Sequence, residues 1–400
     1  MATLYKSPHA RTFISSCLRL HPVHLRKPLN CISDFQASFP YHSPTRRDLS
    51  TLSTMSAISN LPKTFRAAVL TGLNQPLELQ SLPLIPPGPG QILVKVLACG
   101  ICHTDAFVAA GIIPTSFPRI LGHEIIGEVA ALGEGVKGFS LGERVGGGWH
   151  GGHDGTCPSC VKGAHQYCAN EAINGVSMNG GYAEYCLLRH EAVSRIPLDA
   201  DPASTAPFLC AGTTVFNALR HSGIIPGEEA VVAVQGVGGL GHLAVQYSKA
   251  MGYKTIGVST GSDKKELVMG ELGADGYIDS LVEDPVERLQ EMGGAKVIVS
   301  TAPSAKAIGG LLGGLANFGR MVVLAPVGGV EFDTFLMVTK AVSVSGWSTG
   351  TAVDGEEAVA FAKRNGVRCF VERFGLDRVN EAFEGMKGGK PRFRNVLVME

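Results

Sequence analysis

The sequence of 400 residues lacks a net charge, because 35 lysines and arginines balance 35 acidic residues. It also lacks an uninterrupted apolar run near the roughly eighteen residues that suggest a membrane-spanning helix. An apolar core with basic flanks and a small-residue cleavage site is missing as well, so no secretory signal is predicted. Neither a membrane nor a nucleic-acid partner is therefore expected. The content of 45% hydrophobic and 18% charged residues is that of a globular protein long enough for two domains.

The overall charge balance conceals a basic N-terminal segment. Residues 1–55 contain seven lysines or arginines and two acids, which leaves 28 basic and 33 acidic residues in the rest of the chain. The segment is rich in Ser, Thr and Arg, and Arg46 and Arg47 would suit a processing site. These features predict a mitochondrial transit peptide and a location in the matrix. The alternatives are a disordered basic extension, or a working start at Met55 that leaves the protein in the cytoplasm.

Most of the chain falls into two patterns. Residues 60–208 consist of short apolar runs broken by glycine and proline, which favours a mostly β domain. From Ala230, apolar strands alternate with helical stretches, which indicates a parallel sheet with covering helices. Five strands are predicted in that region: Ala230–Val234, Lys254–Val258, Lys296–Val299, Arg320–Leu324 and Ala341–Val344. A last apolar strand, Asn395–Met399, could return to the first domain.

A glycine-rich turn follows the first of these strands. Gly236, Gly238 and Gly241 form GxGxxG directly before a helical run, His242–Met251, which Gly252 could cap. Such glycines permit a tight turn, close approach of a pyrophosphate and close helix packing, with the phosphate at the helix N-terminus. Although the pattern also occurs in purely structural turns, its place between strand and helix favours a dinucleotide site.

The residues after the next strand bear on the choice of cofactor. An acid about twenty residues beyond the turn would bind the ribose 2′-hydroxyl of NAD. Ser259, Thr260 and Lys264 stand there instead, so a 2′-phosphate would not be repelled and NADP(H) is favoured over NAD(H). Alternatively, Ser259 and Thr260 are turn residues and Lys264 begins a solvated helix, in which case NAD could still bind.

Ten cysteines could suggest disulfides, but several fall at metal-like spacings in a chain without an export signal. Four residues of one glycine-rich loop, spaced three, three and eight apart, predict a closed zinc site: Asp154, Cys157, Cys160 and Cys168. Free thiols or a redox pair are the alternatives. The fourth ligand is left open between Asp154 and the nearby histidines His150, His153 and His165.

A second candidate set is dispersed along the chain, at Cys102, His123, Glu124 and Cys210. Two thiolates and one imidazole would leave a tetrahedral zinc with one free position, as catalytic zinc requires. Spacing does not pair these residues, because a lone histidine beside a glutamate is usually a packing or surface residue. A cysteine in an apolar run usually belongs to the core.

Taken together, the motifs resemble the zinc-dependent medium-chain alcohol dehydrogenases, and the resemblance covers roughly residues 61–400. The motifs are GxCHTD at Gly100–Asp105, GHE at Gly122–Glu124, the cysteine loop, the turn Gly236–Gly241 and the segment Arg394–Leu397. The resemblance implies an α/β fold in which a Rossmann domain, a doubly wound parallel sheet, spans residues 209–347. It would be inserted into a mostly β, GroES-like catalytic domain of residues 60–208 and 348–400, with the active site in the cleft between them.

The resemblance also implies roles for single residues. Cys102, His123 and Cys210 would bind a catalytic zinc, and Glu124 could enter its coordination shell. Thr104 would hydrogen-bond the substrate oxygen, and Asp105 would orient the zinc-bound imidazole. The implied cofactor contacts are His103, Gly236, Gly238, Gly239, Leu240, Gly241 and Arg394. The implied alcohol pocket is lined by Ile113 and Trp149.

Two positions depart from the family pattern. Phe107 stands where many members have a histidine that passes the proton of the alcohol outward to solvent. The proton relay is therefore either shortened to Thr104, the cofactor ribose and water, or altered in rate and pH dependence. Asp154 stands where the family usually has the first of four cysteines, which puts occupancy of the second zinc in doubt.

The function expected from these motifs is hydride transfer between NAD(P)(H) and a primary alcohol or aldehyde of small to medium size. We expect two zinc ions per subunit, and a homo-oligomer that is a dimer or a tetramer. The alternatives are a zinc-free quinone-type reductase of the same superfamily and a non-catalytic zinc- and nucleotide-binding regulatory protein. In the quinone reductase Cys102, His123 and Cys210 would have no role, and the intact ligand set argues against the regulatory protein.

Overall fold

The computed structural model describes residues 61–225, 228–389 and 391–400, so the predicted transit peptide lies outside the described residues. The strands of this part are β1 Thr64–Leu70, β2 Leu77–Pro83, β3 Gln91–Gly100, β4 Arg119–Ile120, β5 Ile125–Leu132, β6 Arg144–Gly147, β7 His150–Gly152, β8 Ala172–Ile173, β9 Tyr185–Arg189, β10 Val193–Arg195, β11 Val231–Gln235, β12 Lys254–Ser259, β13 Gly276–Asp279, β14 Ala295–Ser300, β15 Leu315–Val323, β16 Ser343–Gly346, β17 Val371–Gly375 and β18 Arg394–Val398.

The α-helices connect and cover these strands. They are α1 His103–Ala109, α2 Pro158–Val161, α3 Pro202–Thr205, α4 Ala211–Arg220, α5 Gly241–Ala250, α6 Lys265–Met269, α7 Pro285–Glu291, α8 Ala305–Gly310, α9 Thr334–Lys340, α10 Ala352–Asn365 and α11 Val379–Lys387. None of the helices in the described residues has the length and apolarity needed to cross a membrane.

The first half of the chain forms mainly antiparallel sheets. One contains β2, β1 and β4, and a larger one has the order β10-β6-β5-β3-β18-β17, with β9 also paired to β3. The C-terminal strand β18 runs antiparallel to β3, with Val396 opposite Gly100. The prediction that this strand returns to the first half is therefore confirmed. This pairing brings Arg394 near the segment that leads into Cys102.

The second half of the chain forms a six-stranded parallel sheet with the order β13-β12-β11-β14-β15-β16. Numbered from β11, this is the order 3-2-1-4-5-6 of dinucleotide-binding folds, in which the crevice lies at the carboxyl ends of the two central strands. The α/β fold with a parallel sheet is thus confirmed. The short strand β13 was not among the five predicted strands, because only Tyr277 and Ile278 of its four residues are buried.

In the described residues the hydrophobic core falls into three clusters, one of which spans both halves of the chain. One cluster combines Phe208 of the first half with Tyr247 of α5 and Val396 of β18. Tyr247 is fully buried, and its hydroxyl donates to the carbonyl of Ala358 at 2.9 Å. Val232 and Val234 of β11 are buried among neighbouring strands, as is typical of a central parallel strand. The packing thereby fixes the position of the glycine turn that follows β11.

Candidate active site

The dispersed residues come together in one buried cluster. One ligand atom from each of Cys102, His123, Glu124 and Cys210 lies within 4.8 Å of the others. Cys102 immediately precedes α1, His123 and Glu124 lie before β5, and Cys210 precedes α4. His123 and Glu124 are at most 1% exposed, and Cys210 is half-buried. The structure thus pairs four residues that their spacing could not pair.

The donor atoms of this cluster fit a metal ion. Buried Nε2 of His123 and Oε2 of Glu124 have no hydrogen-bond partner, although nearly all buried polar atoms in proteins have one. A hydrogen bond from Cys210, together with the charges of His123 and Arg394, holds the pKa of the Cys102 thiol well below its usual range. Burial raises the pKa of Glu124 to about 7. Two cysteines, an imidazole and a carboxyl group form a zinc-type donor set.

Asp105 faces the imidazole of this cluster. Its Oδ1 lies 3.2 Å from Nδ1 of His123. Its Oδ2 accepts hydrogen bonds from the Cys102 backbone N–H at 2.9 Å and from the Tyr182 hydroxyl at 2.7 Å. Because Nδ1 faces a carboxylate, a metal bound at Nε2 would leave the ring proton on Nδ1. The predicted role of Asp105 is thus consistent with its position.

The glycine-rich turn forms a cradle that side chains would fill. A Cβ on Gly241 would lie 1.9 Å from the carbonyl oxygen of Gly236, and Gly236 itself has a φ of +84°. By contrast, a Cβ on Gly238 would meet nothing within 4 Å, so this face of the turn is open to a ligand. Helix α5 begins at Gly241, and Gly252 just beyond its end has a φ of +90°. The turn therefore fits a pyrophosphate at a helix N-terminus.

Arg394 lies between the turn and the cluster. Its buried guanidinium forms an ion pair with Glu124. A Cβ added to Gly239 would lie 2.9 Å from Nη1 of Arg394, so the same guanidinium also packs against the glycine turn. The candidate cofactor site and the candidate metal site are therefore adjacent in space.

Comparisons with known proteins agree with this geometry. Residues 88–198 match the alcohol dehydrogenase GroES-like domain, and residues 239–364 match the zinc-binding dehydrogenase family. The alcohol dehydrogenase patD of Penicillium expansum is 50% identical over 341 residues, 85% of this chain and 99% of that protein. The chain is a member of the zinc-type medium-chain alcohol dehydrogenase family. The predicted family and enzyme class are thereby confirmed.

Solved structures carry the same fold. The alcohol dehydrogenase of the archaeon Aeropyrum pernix is 31% identical and has a TM-score of 0.76, with 83% of this chain and 99% of that chain covered. Acetophenone reductase from Geotrichum candidum, solved in complex with NAD, is 26% identical with a TM-score of 0.75 over 85% of this chain and 98% of that chain.

Two residues predicted for the substrate side of this alcohol dehydrogenase, Thr104 and Trp149, lie beside the buried donor cluster. Oγ1 of Thr104 is 3.5 Å from Sγ of Cys102. The ring of Trp149 meets that of His123 edge-on, with 5.0 Å between centroids, and Ile113 packs against the same core cluster as Trp149. The Phe107 ring lies 6.4 Å from the exposed ring of His103.

The residues predicted to govern cofactor choice in the alcohol dehydrogenase lie at the carboxyl end of β12. Ser259 ends this strand and is 8% exposed, whereas Thr260 is exposed. Lys264 is half-buried, and its Nζ donates to the carbonyl of Val237 within the glycine turn at 3.0 Å. Lys264 therefore reaches the dinucleotide cradle from a different loop.

The cysteine loop of the alcohol dehydrogenase forms a second donor cluster. One atom each from Asp154, Cys157, Cys160 and Cys168 lies within 4.8 Å of the others, and the three nearby histidines are not part of this group. Oδ1 of Asp154 accepts from the N–H groups of Cys157 at 3.0 Å and Thr156 at 2.8 Å, which holds its pKa below its usual range. Backbone N–H groups lower the pKa of Cys157 to about 7. Of the four candidates for the fourth ligand, the geometry favours Asp154.

This loop also contacts the segment that follows β16. The Tyr167 ring meets that of Trp347 edge-on at 6.4 Å, and the Tyr167 hydroxyl accepts from the Ser348 N–H at 3.2 Å. On its other side, Trp347 stacks on His221 at 4.3 Å. Sequence motifs did not identify Tyr167, Trp347 or Tyr182, because an aromatic residue outside a motif does not indicate which residues it contacts in the fold.

Proposed function

We propose that this alcohol dehydrogenase interconverts primary alcohols and aldehydes, with a catalytic zinc held by Cys102, His123 and Cys210. The single observation that carries the proposal is the buried cluster, with the partnerless His123 Nε2, beside the open glycine turn. When bound, zinc would polarise the substrate oxygen while the nicotinamide exchanges a hydride with the substrate carbon. Glu124 would enter the coordination shell, and Asp105, 3.2 Å from Nδ1 of His123, would hold the imidazole in place.

Proton transfer would begin at Thr104. Its hydroxyl lies at the edge of the cluster, 3.5 Å from Sγ of Cys102, where it could accept a hydrogen bond from the alcohol. Phe107 cannot pass this proton onward, because its side chain has no titratable group. When bound, the cofactor would supply its ribose hydroxyls as the next groups of a shortened proton relay that begins at Thr104 and ends in water.

The substrate pocket would be lined by Trp149 and Ile113. The Trp149 ring beside His123 would offer an apolar surface to the substrate, which favours an alcohol of small to medium size, aromatic ones included. A panel of aliphatic and aromatic aldehydes, assayed with NADH and NADPH side by side and combined with zinc analysis, tests this proposal. Aldehyde-dependent oxidation of NADH or NADPH by a protein free of zinc would contradict the proposed function. Quinone reduction without zinc would favour the quinone-type reductase.

The preferred cofactor would be NADP(H). Position 259 carries a neutral serine instead of an acid, and Lys264 adds a positive charge beside the turn. NADPH should give the higher kcat/KM, and Ser259→Asp should reverse the order by about tenfold or more. Equal or better use of NADH by the unmodified enzyme would contradict this preference.

A second zinc would be bound by Asp154, Cys157, Cys160 and Cys168, which gives two zinc ions per subunit. The subunits would form a dimer or tetramer. Edge strand β16 and the exposed Phe335 and Val338 of the preceding helix α9, 77% and 80% exposed, support self-association. Light scattering coupled to size exclusion chromatography would give the oligomeric state.

Residues 1–55 would direct the enzyme to the mitochondrial matrix, on the basis of their composition. A fluorescent fusion of this segment should enter mitochondria, and removal of residues 1–54 should leave activity unchanged. Diffuse cytosolic fluorescence would favour Met55 as the start or an inert extension.

A further inference from the structure

His242, the second residue of α5, is a fully buried histidine that the GxGxxG motif does not contain. Its backbone N–H and its ring Nδ1 both lie 3.0 Å from the carbonyl oxygen of Gly238. Since a carbonyl oxygen can only accept hydrogen bonds, both nitrogens donate to it. The carbonyl of Gly238 and the N–H of Gly239 belong to one planar trans peptide and point in opposite directions. His242 therefore fixes the direction of an N–H group of the open turn.

The ring of His242 also contacts the segment that carries Arg394. It stacks on Phe393, with 4.5 Å between ring centroids and 18° between planes. The main chain is anchored next to this stack, because the N–H groups of Phe393 and Arg394 donate to the carbonyl of Phe370 at 2.9 and 3.1 Å. The Arg394 guanidinium packs against the glycine turn. His242 thus contacts both sides of this approach, the turn at Gly238 and the residue before Arg394.

A second side chain holds the same face of α5 to the C-terminal region. Gln246 donates from Nε2 to the carbonyl of Arg368 at 2.8 Å and accepts at Oε1 from the Arg368 N–H at 2.9 Å. Gln246 and His242 are four residues apart, so they lie on one face of the helix. Arg368 precedes β17 and Phe393 precedes β18. This face of α5 therefore joins the glycine turn to the sheet that contains β3, the strand that leads into Cys102.

Packing alone does not account for a histidine at this position. Its Nε2 is buried and has no hydrogen-bond partner among the residues that the structure describes. Burial lowers the pKa of His242 to about 3, so the ring is neutral at physiological pH. A buried polar atom without a partner costs stability, and a leucine would fill the space without that cost. A neutral, fully buried ring offers a phosphate neither a charge nor an exposed donor, so its role is to position groups that do.

We propose that His242 is a positioning residue that holds Arg394 against the glycine turn, and that dinucleotide affinity depends on this contact. The inference rests on the proposed use of NAD(P)(H) and adds a residue to the glycines and Arg394 themselves. Through Gly238 the imidazole orients the turn, and through Phe393 it sets the point at which Arg394 approaches that turn. The planar guanidinium binds a phosphate through parallel hydrogen bonds of fixed direction, so a small shift of its main chain weakens binding.

Binding of ADP-ribose without turnover tests this role, because this probe contains the pyrophosphate but no nicotinamide. Isothermal titration calorimetry of the metal-loaded full chain would compare His242→Leu with the unmodified protein. The variant loses the ring stack and the Nδ1 hydrogen bond, and its affinity for ADP-ribose should fall by about tenfold. Its Tm should stay close to that of the unmodified protein, because the unpaired Nε2 is removed as well. His242→Phe keeps a ring on Phe393 and should recover part of the affinity.

A double-mutant cycle shows whether His242 acts through Arg394. In an Arg394→Gln background, which itself weakens ADP-ribose binding, the addition of His242→Leu should cost less than about twofold more. Phe393→Leu provides a second background, in case Arg394→Gln does not fold. The stack is already lost there, so His242→Leu should again cost less than it does in the unmodified protein.

His221 provides a matched control at the end of α4. Its Nδ1 donates to the carbonyl of Asn217, four residues earlier, at 2.9 Å, and its ring stacks on Trp347 with 4.3 Å between centroids. These are the same two kinds of contact that His242 makes, at a histidine outside the glycine turn. His221→Leu should leave ADP-ribose affinity unchanged.

The outcomes separate this inference from the proposed function. If the unmodified protein does not bind ADP-ribose, the proposed dinucleotide site is wrong and the role of His242 falls with it. If the unmodified protein binds the probe and His242→Leu keeps that affinity, the positioning role is wrong and the proposed function stands. An equal loss of affinity with and without Arg394, or a large fall in Tm, would show that His242 only maintains the fold and would overturn the inference.

Discussion

The two donor clusters of this enzyme are built in opposite ways. The cluster that we propose to be catalytic, hereafter the catalytic cluster, takes Cys102, His123, Glu124 and Cys210 from three distant segments and buries most of them. The loop cluster takes all four donors from Asp154–Cys168, and its Asp154 is exposed. Long-range packing therefore positions the first cluster, whereas local backbone turns position the second. Loss of a donor from the catalytic cluster should lower turnover, whereas loss of a donor from the loop cluster should lower stability.

The largest expected effect comes from removing a ligand of the catalytic cluster. Cys102→Ala, His123→Ala or Cys210→Ala should lower kcat by on the order of a thousandfold or more, because Lewis-acid stabilisation of several kcal/mol is lost. Metal analysis should show one zinc missing, while calorimetry should show cofactor affinity largely unchanged, since the glycine turn uses other residues. Full activity without that zinc would contradict the proposed function.

A smaller loss is expected when the orienting carboxylate is altered. Asp105→Asn keeps the shape but removes the charge that faces Nδ1 of His123, so metal affinity or kcat should fall by about ten- to a hundredfold. Tyr182→Phe, which removes one hydrogen bond to the same carboxylate, is the milder companion variant. If Asp105→Asn has the metal content and kcat of the unmodified enzyme, Asp105 does not position the imidazole.

Loss of a donor from the loop cluster should lower stability and leave turnover nearly unchanged. Cys160→Ala removes a buried donor of this cluster and should lower Tm by several degrees, because metal binding contributes to folding. Turnover measured well below Tm should stay within about twofold of the unmodified enzyme, since the loop holds no residue of the catalytic cluster. A loss of kcat as large as that of Cys102→Ala would break the distinction between the two clusters.

The smallest effect is expected at the position that departs from the family pattern. Asp154→Cys would give the loop a fourth thiolate, the ligand type that zinc sites of this kind most often use. Release of the loop zinc to a chelator should slow severalfold, with kcat unchanged. Faster release would show that the two backbone N–H groups that hold Asp154 matter more than the ligand type.

The same contrast explains what the sequence could predict. The loop cluster and the glycine turn are local, so spacing and flanking strands were sufficient to locate them. The catalytic cluster was assembled only through the family resemblance, because nothing in the chain near Cys210 refers to His123. The contacts of Tyr182 with Asp105 and of Arg394 with Gly239 depend on how distant strands pair, as β18 does with β3. Sequence patterns do not reveal which residues of two distant strands lie opposite each other.

The positions of the two tryptophans of the chain have a consequence for its intrinsic fluorescence. Trp149 lies edge-on to His123, and Trp347 lies against Tyr167 of the cysteine loop. Each indole is therefore an intrinsic fluorophore next to a different donor cluster. In a Trp347→Phe variant the remaining emission would report on the surroundings of His123, and in a Trp149→Phe variant on those of the loop. Metal loading of the two clusters could then be followed separately in one protein, without an added dye.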